Sequence, residues 1–193
     1  ETIGLKILFF IRTLNGGGAQ KIMTKLANAA SKSEHNVVVV TLNSSGNFSE
    51  LLRSEVKIID LGAGRMLAAF LAFSKVIKSE QPDILFSTEV AVNIFTLISK
   101  WLSGVGRSTK VVIREALSPS LAAKYSKHRS IKYGYLVARF FYPKADHVIA
   151  ISEGMVSDLL SICKVNEVNL TVININPCVD ERLLDLRNCN PDH

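Results

Sequence analysis

A glycine-rich turn near the start of the chain is the first feature whose composition suggests chemistry. Residues 15–19 contain Gly16, Gly17 and Gly18 between a short apolar run and an amphipathic helical pattern. A glycine turn between a strand and a helix leaves backbone N–H groups open at the helix N-terminus, which attracts phosphates. The turn therefore predicts a phosphate-binding corner, and the alternative is a tight strand–helix turn without a ligand.

Two well-known phosphate motifs do not fit this turn. The dinucleotide fingerprint needs a different glycine spacing and an acidic residue after the second strand, whereas that strand ends at Thr41, Leu42 and Asn43. The nucleotide-binding phosphate loop needs a Gly-Lys-Ser/Thr sequence, which does not follow here. A dinucleotide-dependent oxidoreductase is thus the least favoured class.

A charged pair, Arg114 and Glu115, closes the apolar run 110–114. A carboxylate at the carboxyl end of a central strand can orient or deprotonate a sugar hydroxyl, and a guanidinium can bind a phosphate. The alternative interpretation is an ion pair at the mouth of a loop.

Basic and aromatic residues interleave over residues 124–144, and Lys124, Lys127, Arg129 and Lys132 cluster in the first half. Such a segment can lie on an anionic membrane with its aromatic residues at the headgroup level. It can also bind nucleic acid by stacking on bases. The remaining alternative is a solvated helix whose later apolar residues pack in the core.

Two further loops follow predicted strands. Ser152 precedes Glu153 and a helical pattern, and it is the predicted N-cap of that helix. Asn176 begins an Asn-Pro turn after the last predicted strand. We expect Ser152, Glu153 and Asn176 to line a cleft together with Arg114.

The elements that must position these residues alternate along the chain. Apolar, β-branched runs without polar alternation predict strands that are covered on both faces, and helical patterns separate most of them. Together they predict an α/β fold with a doubly wound parallel sheet of about seven strands, in which ligands bind at the carboxyl ends. The predicted strands are 5–11, 36–42, 56–60, 83–87, 110–114, 146–151 and 169–173, and the predicted helices are 19–33, 65–80, 90–103, 120–142 and 153–163.

Composition limits the partners and the compartment. The chain has 193 residues, 48% of them hydrophobic, and a net charge of +6. Residues 65–144 carry 13 basic and 4 acidic side chains, which favours phospholipid headgroups, nucleic acid or a pyrophosphate-linked substrate. The three cysteines are scattered and odd in number, which favours a reducing cytoplasm.

Taken in order, the motifs resemble the N-terminal domain of retaining glycosyltransferases of family 4, which have the GT-B fold. The resemblance runs from Lys6 to about Asp180 and implies a Rossmann-like domain over residues 1–180, with residues 181–193 as an interdomain linker or tail. Residues 16–20 stand where the family has a Gly-Gly-Ala-Glu turn, residues 35–41 resemble its second strand, and residues 81–85 resemble its Pro-Asp-Val strand. The pair Arg114 and Glu115 and the segments 142–146 and 152–155 match one branch of the family. Asn176, Pro177 and Asp180 match the turn into the second domain.

The resemblance implies transfer of a sugar from a uridine or guanosine diphosphate sugar to an acceptor, with retention and without a cofactor or required metal. It implies that Gly16, Gly17 and Gly18 cap the donor diphosphate and that Glu115, the candidate catalytic residue, lies near the reacting hydroxyl or the transferred sugar. The basic segment would face the membrane or a lipid-pyrophosphate acceptor. We therefore expect bacterial surface-polysaccharide or lipid-linked oligosaccharide assembly in the cytoplasm, at the inner face of the membrane, and no nucleic-acid partner.

The sequence departs from this family in two ways. Ala116 and Leu117 stand where the matching branch often has His and Asn, which weakens a catalytic role for the loop. The family's donor-binding second domain is not found in these 193 residues, so we expect the chain alone to fold but to be inert. The alternative function is a stand-alone binding module for an anionic lipid or a polysaccharide precursor.

Overall fold

Seven strands form one parallel sheet in the computed structural model, which describes residues 4–15, 17–44, 46, 48–62, 66–126 and 129–173. The strands are β1 (Lys6–Thr13), β2 (Asn36–Asn43), β3 (Lys57–Asp60), β4 (Ile84–Thr88), β5 (Lys110–Glu115), β6 (His147–Ala150) and β7 (Leu170–Val172). Their order is β3-β2-β1-β4-β5-β6-β7, and every neighbouring pair is parallel. The predicted seven-stranded parallel sheet is confirmed.

Six α-helices connect the strands within the described residues. They are α1 (Gly18–Lys32), α2 (Met66–Glu80), α3 (Val90–Ser103), α4 (Pro119–Tyr125), α5 (Arg129–Phe141) and α6 (Val156–Ser161). Short 3-10 helices occupy Tyr142–Lys144, Glu153–Met155 and Glu167–Asn169. None of the helices in the described part is both long and apolar enough to cross a membrane.

The sheet is covered on both faces because alternate residues of its strands point to opposite sides. Phe9 and Ile11 of β1 pack with Met23 and Ala27 of α1 on one face. On the other face the intervening strand residues pack with α2, α3 and α5, where aromatic rings stack. The two sides have separate hydrophobic cores, as expected of a doubly wound sheet.

Two predicted helices are wrong in detail. The predicted helix 120–142 is two helices, because the backbone of Ser126 is extended and ends α4 after Tyr125. Asp158 accepts hydrogen bonds from Ser118 Oγ at 2.6 Å and Ser120 N at 2.9 Å, which ties the start of α4 to α6. The predicted helix 153–163 begins as a 3-10 turn, and its α-helical part is shorter.

The strand order reverses between β1 and β4. The chain runs from β1 outward through β2 to β3, returns to β4, and then runs outward the other way. Such a topological switch point leaves a crevice at the carboxyl ends of the two central strands, where α/β proteins bind ligands. The helices α1 and α3 both begin at this crevice.

An ionic cluster lies at the other end of the sheet, where the strands begin. Glu80, the last residue of α2, lies 2.6 Å from Nζ of Lys6 and 2.6 Å from Nζ of Lys57, at the starts of β1 and β3. The Glu80 side chain is 13% exposed. Hydrogen bonds from Lys57 and Lys6 lower the pKa of this carboxyl. The carboxylate therefore joins α2 to two strands.

We predict that Glu80→Gln lowers the free energy of unfolding by about 1 kcal/mol at neutral pH. Because the pKa of Glu80 is lower in the folded chain, its contribution is complete above the unfolded-state pKa and is lost as the pH falls through the folded-state pKa. Urea unfolding of the two proteins from about pH 7 to about pH 3 measures this.

The matched control is Glu55→Gln, since Glu55 pairs with Arg53 on the open surface. It should leave the free energy of unfolding unchanged. A Glu80→Gln effect that stays constant down to the acid end would contradict the assigned ion pairs.

Candidate functional site

The start of α1 lies at the crevice between β1 and β4. Gly17 is its N-cap, with extended backbone and no side-chain capping bond, and α1 begins at Gly18. Both glycines are exposed, and a Cβ added to Gly18 would meet no atom within 4 Å. The predicted glycine turn thus lies at the carboxyl ends of the strands, with open space beside Gly18, whereas the Gln20 side chain lies against Gly17. Gly16 lies outside the described residues.

A cavity of about 490 Å³ occupies this crevice, and we call it the switch-point cavity. Residues from the ends of three strands and the starts of three helices form its wall. They are Arg12, Ala19, Glu89, Val90, Ala91, Glu115, Ala116, Leu117 and Ile131. The wall combines apolar side chains with a few charged groups, which is typical of small-molecule sites.

A second cavity of about 510 Å³ adjoins the first, and we call it the apolar groove. It is lined by Ala116, Leu117, Ser118, Leu121, Ala122, Tyr125, Ser126, Ile131, Ile151, Ser152 and Met155. The two cavities share Ala116, Leu117 and Ile131. A ligand with a polar part and an apolar part can therefore occupy both.

Glu115 is 1% exposed, and four groups donate hydrogen bonds to its carboxylate. The donors are the Tyr142 and Tyr135 hydroxyls and the N–H groups of Ala116 at 3.0 Å and Leu117 at 3.4 Å. Burial raises the pKa of Glu115, although these hydrogen bonds oppose the shift. The carboxylate holds the loop that lines both cavities, and the predicted catalytic role of Glu115 stays a prediction.

Sequence reasoning did not single out the tyrosines or Asn93 as parts of this network. Asn93 Nδ2 donates to the Tyr142 hydroxyl at 3.1 Å and to the Arg114 carbonyl at 3.1 Å, and Asn93 Oδ1 accepts from Ser87 at 2.9 Å. Burial and the charge of Glu115 raise the pKa of Tyr142, so its hydroxyl stays a donor. One signal for the tyrosines was present in the sequence. Tyr135 and Tyr142 are seven residues apart, a spacing that places both side chains on one face of a helix.

Arg114 is 3% exposed and is not among the residues that line either cavity. It follows Ile113 and precedes Glu115 on β5, so its side chain points to the other face of the sheet. Its Nη1 donates to Thr88 Oγ1 at 3.3 Å, and its Nε has no hydrogen-bond partner among the described residues. Burial lowers the pKa of Arg114, and the charge of Glu115 opposes this shift.

The remaining predicted site residues lie in several places. Ser152 lines the apolar groove, and although it is the N-cap of the 3-10 turn, its hydroxyl makes no capping bond. Glu153 is exposed in the same turn. Lys124 is exposed on α4, while Arg129 and Lys132 belong to α5. Asn176 and Lys127 lie outside the described residues, as do residues 181–193 of the predicted linker.

Similar proteins share this architecture. An α-1,4-N-acetyl-D-galactosaminyltransferase of Campylobacter jejuni, whose full name specifies a GalNAc-GalNAc-diNAcBac-PP-undecaprenol substrate, is 31% identical over 121 residues. That match covers 58% of this chain and 32% of the relative.

Solved structures resemble the chain at low identity. A glycosyltransferase from Rickettsia africae has a TM-score of 0.61 and 18% identity, covering 97% of this chain and 47% of that one. Anabaena HepE, solved with UDP and glucose, has a TM-score of 0.64 and 18% identity, covering 88% of this chain and 44% of that one. Sucrose-phosphate synthase from Thermosynechococcus elongatus has a TM-score of 0.65 and 12% identity, covering 88% of this chain and 47% of that one.

The chain spans about a third of the curated relative and less than half of each of these structures. The fold is thus that of one half of a GT-B glycosyltransferase, which confirms the predicted fold. The model of Glycosyltransferase Family 4 matches residues 16–175, most of the chain. The chain belongs to Glycosyltransferase Family 4 and has the Rossmann-like fold of an N-terminal GT-B domain.

Proposed function

We propose that the protein transfers a sugar from a nucleotide diphosphate sugar to a saccharide acceptor, with retention of the anomeric configuration. The observation that carries this proposal is the family match over residues 16–175. Two further observations support it, the open helix N-terminus at Gly18 and the UDP and glucose bound by the similar Anabaena protein. The anion-attracting start of α1 suits the donor diphosphate.

We further propose that the acceptor is lipid-linked and is reached at the inner face of the cytoplasmic membrane. The support comes from a surface of α4 and α5 that we call the α4–α5 face. Its exposed apolar side chains are Leu121, Tyr125, Tyr133, Leu136, Val137 and Phe140, together with Leu117 of the loop before α4. Aromatic and leucine side chains among basic ones are typical of surfaces that lie in the headgroup region of a bilayer.

The charge of this segment supports the same partner. Between Glu115 and Asp146 the sequence has six Lys and Arg residues and no acidic residue. Arg139 lies 5.4 Å from the ring centre of Phe140, and Lys124 lies 5.1 Å from that of Tyr125. Cations beside aromatic rings can bind lipid phosphates while the rings enter the interface.

The adjoining cavities fit a lipid-linked saccharide. The switch-point cavity carries the charged side chains Arg12 and Glu89, while the apolar groove is lined by Leu121, Tyr125 and Met155. The apolar groove shares Leu121 and Tyr125 with the α4–α5 face. A sugar in the first cavity would therefore continue toward the membrane along the second. The Campylobacter jejuni relative, named for an undecaprenol-linked substrate, supports this class of acceptor.

We predict that the intact protein releases nucleoside diphosphate from at least one UDP- or GDP-sugar when a saccharide acceptor is present. NMR of the product should show the anomeric configuration of the donor. The 193-residue chain by itself should give no turnover, because the family's donor-binding residues belong to the second domain. An inverted product, or turnover by the 193-residue chain, would contradict the proposal. Saccharide or lipid binding by the intact protein without turnover of any donor would favour the binding-module alternative.

We predict that the protein binds phosphatidylglycerol vesicles more tightly than phosphatidylcholine vesicles. Lys124→Glu/Arg139→Glu should weaken the binding about tenfold, because each reversed charge on the α4–α5 face repels the anionic surface. Vesicle co-sedimentation at low and high salt measures the effect.

The matched control is Lys75→Glu/Lys78→Glu, which makes the same change of net charge with exposed residues of α2. Equal losses in the two double variants would mean that overall charge, and not the α4–α5 face, governs binding.

We predict that Tyr142→Phe and Glu115→Gln each destabilise the protein by about 2 kcal/mol, since both leave buried polar groups without partners. In the intact protein, both should reduce turnover to a similar extent, because both loosen the loop that lines the cavities. Thermal unfolding and initial rates measure the two effects. Loss of turnover in Glu115→Gln alone, with unchanged stability, would indicate that Glu115 acts directly on the reacting sugar.

A further inference from the structure

Glu89 has an unusual backbone conformation at the switch-point cavity. Its φ is 77° and its ψ is 135°, and it directly precedes α3. Three other described non-glycine residues have positive φ, and each of them follows a helix: Glu34 after α1, Gln81 after α2 and Lys164 after α6. A left-handed residue is common at a helix C-terminus, but no such rule accounts for Glu89. Conformations of this kind persist where the surroundings enforce them, often at ligand sites.

One oxygen of the Glu89 carboxylate has a hydrogen-bond donor. Gln20, in the first turn of α1, donates a hydrogen bond from Nε2 to Glu89 Oε1 at 3.3 Å. Gln20 is 9% exposed, so its amide has little freedom. No described residue donates a hydrogen bond to the other oxygen of Glu89. Within the described ranges, the carboxylate is thus held at one oxygen and open at the other.

The opposite charge in the same cavity does not neutralise Glu89. Arg12, at the end of β1, lines the switch-point cavity with Glu89, yet neither residue forms an ion pair with any residue in the described ranges. Glu115 also lines the cavity, but the described part of the chain has no group of three or more His, Cys, Asp or Glu side chains that could hold a metal ion. A neutral ligand rich in hydroxyl groups is better matched to an open carboxylate oxygen.

We propose that Glu89 is a binding residue that accepts hydrogen bonds from the hydroxyls of a sugar held in the switch-point cavity. Gln20 is its positioning residue, because its amide sets the direction of the carboxylate. The inference rests on the proposed glycosyltransferase function and names the group that holds the sugar there. A cavity of about 490 Å³ has room for a monosaccharide unit.

The strained backbone of Glu89 makes a glycine substitution an informative test. Glycine adopts positive φ without cost, so Glu89→Gly relieves the strain and removes the carboxylate together. We expect a higher melting temperature and no measurable sugar binding. Glu89→Gln keeps the side-chain shape without the charge and should weaken sugar binding about tenfold.

The probes are the methyl glycosides of glucose, galactose and N-acetylgalactosamine, added to the intact protein and followed by titration calorimetry. The control is Glu34→Gly, at an exposed positive-φ glutamate outside the cavity. It should raise the melting temperature and leave sugar binding unchanged. Glycoside affinity within about twofold of wild type in both Glu89 variants would overturn the inference. So would the absence of binding of all three glycosides to the wild-type protein.

The role of Gln20 has its own test. The double variant Gln20→Glu/Glu89→Gln can still form a hydrogen bond between an amide and a carboxylate, but the charge moves to the buried position. It should not recover the affinity of the wild-type protein for the glycosides, because the carboxylate no longer lies at position 89. Full recovery of affinity would show that the location of the carboxylate is unimportant and would overturn the assignment.

Nucleotide binding in the same samples separates this inference from the proposed function. If UDP or GDP binds to the wild-type protein and the Glu89 variants still bind glycosides normally, only the assignment of Glu89 fails. If the wild-type protein binds neither nucleotide nor glycoside, the proposed function fails as well.

Discussion

The buried carboxylate of Glu115 is the interaction on which the arrangement of the site depends. A carboxylate removed from water is costly unless hydrogen-bond donors replace its solvation, and here two tyrosine hydroxyls and two backbone N–H groups do so. The donors come from the loop after β5, from α5 and from the turn that follows it. These hydrogen bonds therefore fix Leu117 and Ile131, which line both cavities, relative to the sheet.

The amino ends and the carboxyl ends of the parallel strands carry different kinds of interaction. The amino edge carries ion pairs that join neighbouring elements, among them Glu80 with Lys6 and Lys57, and Asp146 with Lys110. The carboxyl edge keeps Arg12 and Glu89 outside any ion pair of the described residues and retains a strained backbone. The ion pairs between neighbouring elements thus lie at the end of the sheet away from the switch point. This division suits a domain that binds a hydroxyl-rich ligand at the switch point.

Much of the fold follows from the sequence because covered parallel strands are continuous apolar runs with turns between them. The glycine turn was placed correctly at the start of α1 because a glycine run between an apolar strand and an amphipathic helical pattern is typical of a strand–helix corner. The burial of Glu115 was not predictable, since its partners lie 20 and 27 residues away and depend on how α5 packs. Glu89 was missed for a related reason: glutamate does not encode positive φ, which tertiary packing imposes.

An amide NMR titration of the protein with a nucleotide diphosphate sugar and an acceptor glycoside tests whether substrates bind at the switch point. We expect shifts in the amides of Gly18, Ala19, Val90 and Leu117, around the crevice between β1 and β4. Shifts confined to the opposite edge, around Asp83, Gly104 and Thr109, would contradict it.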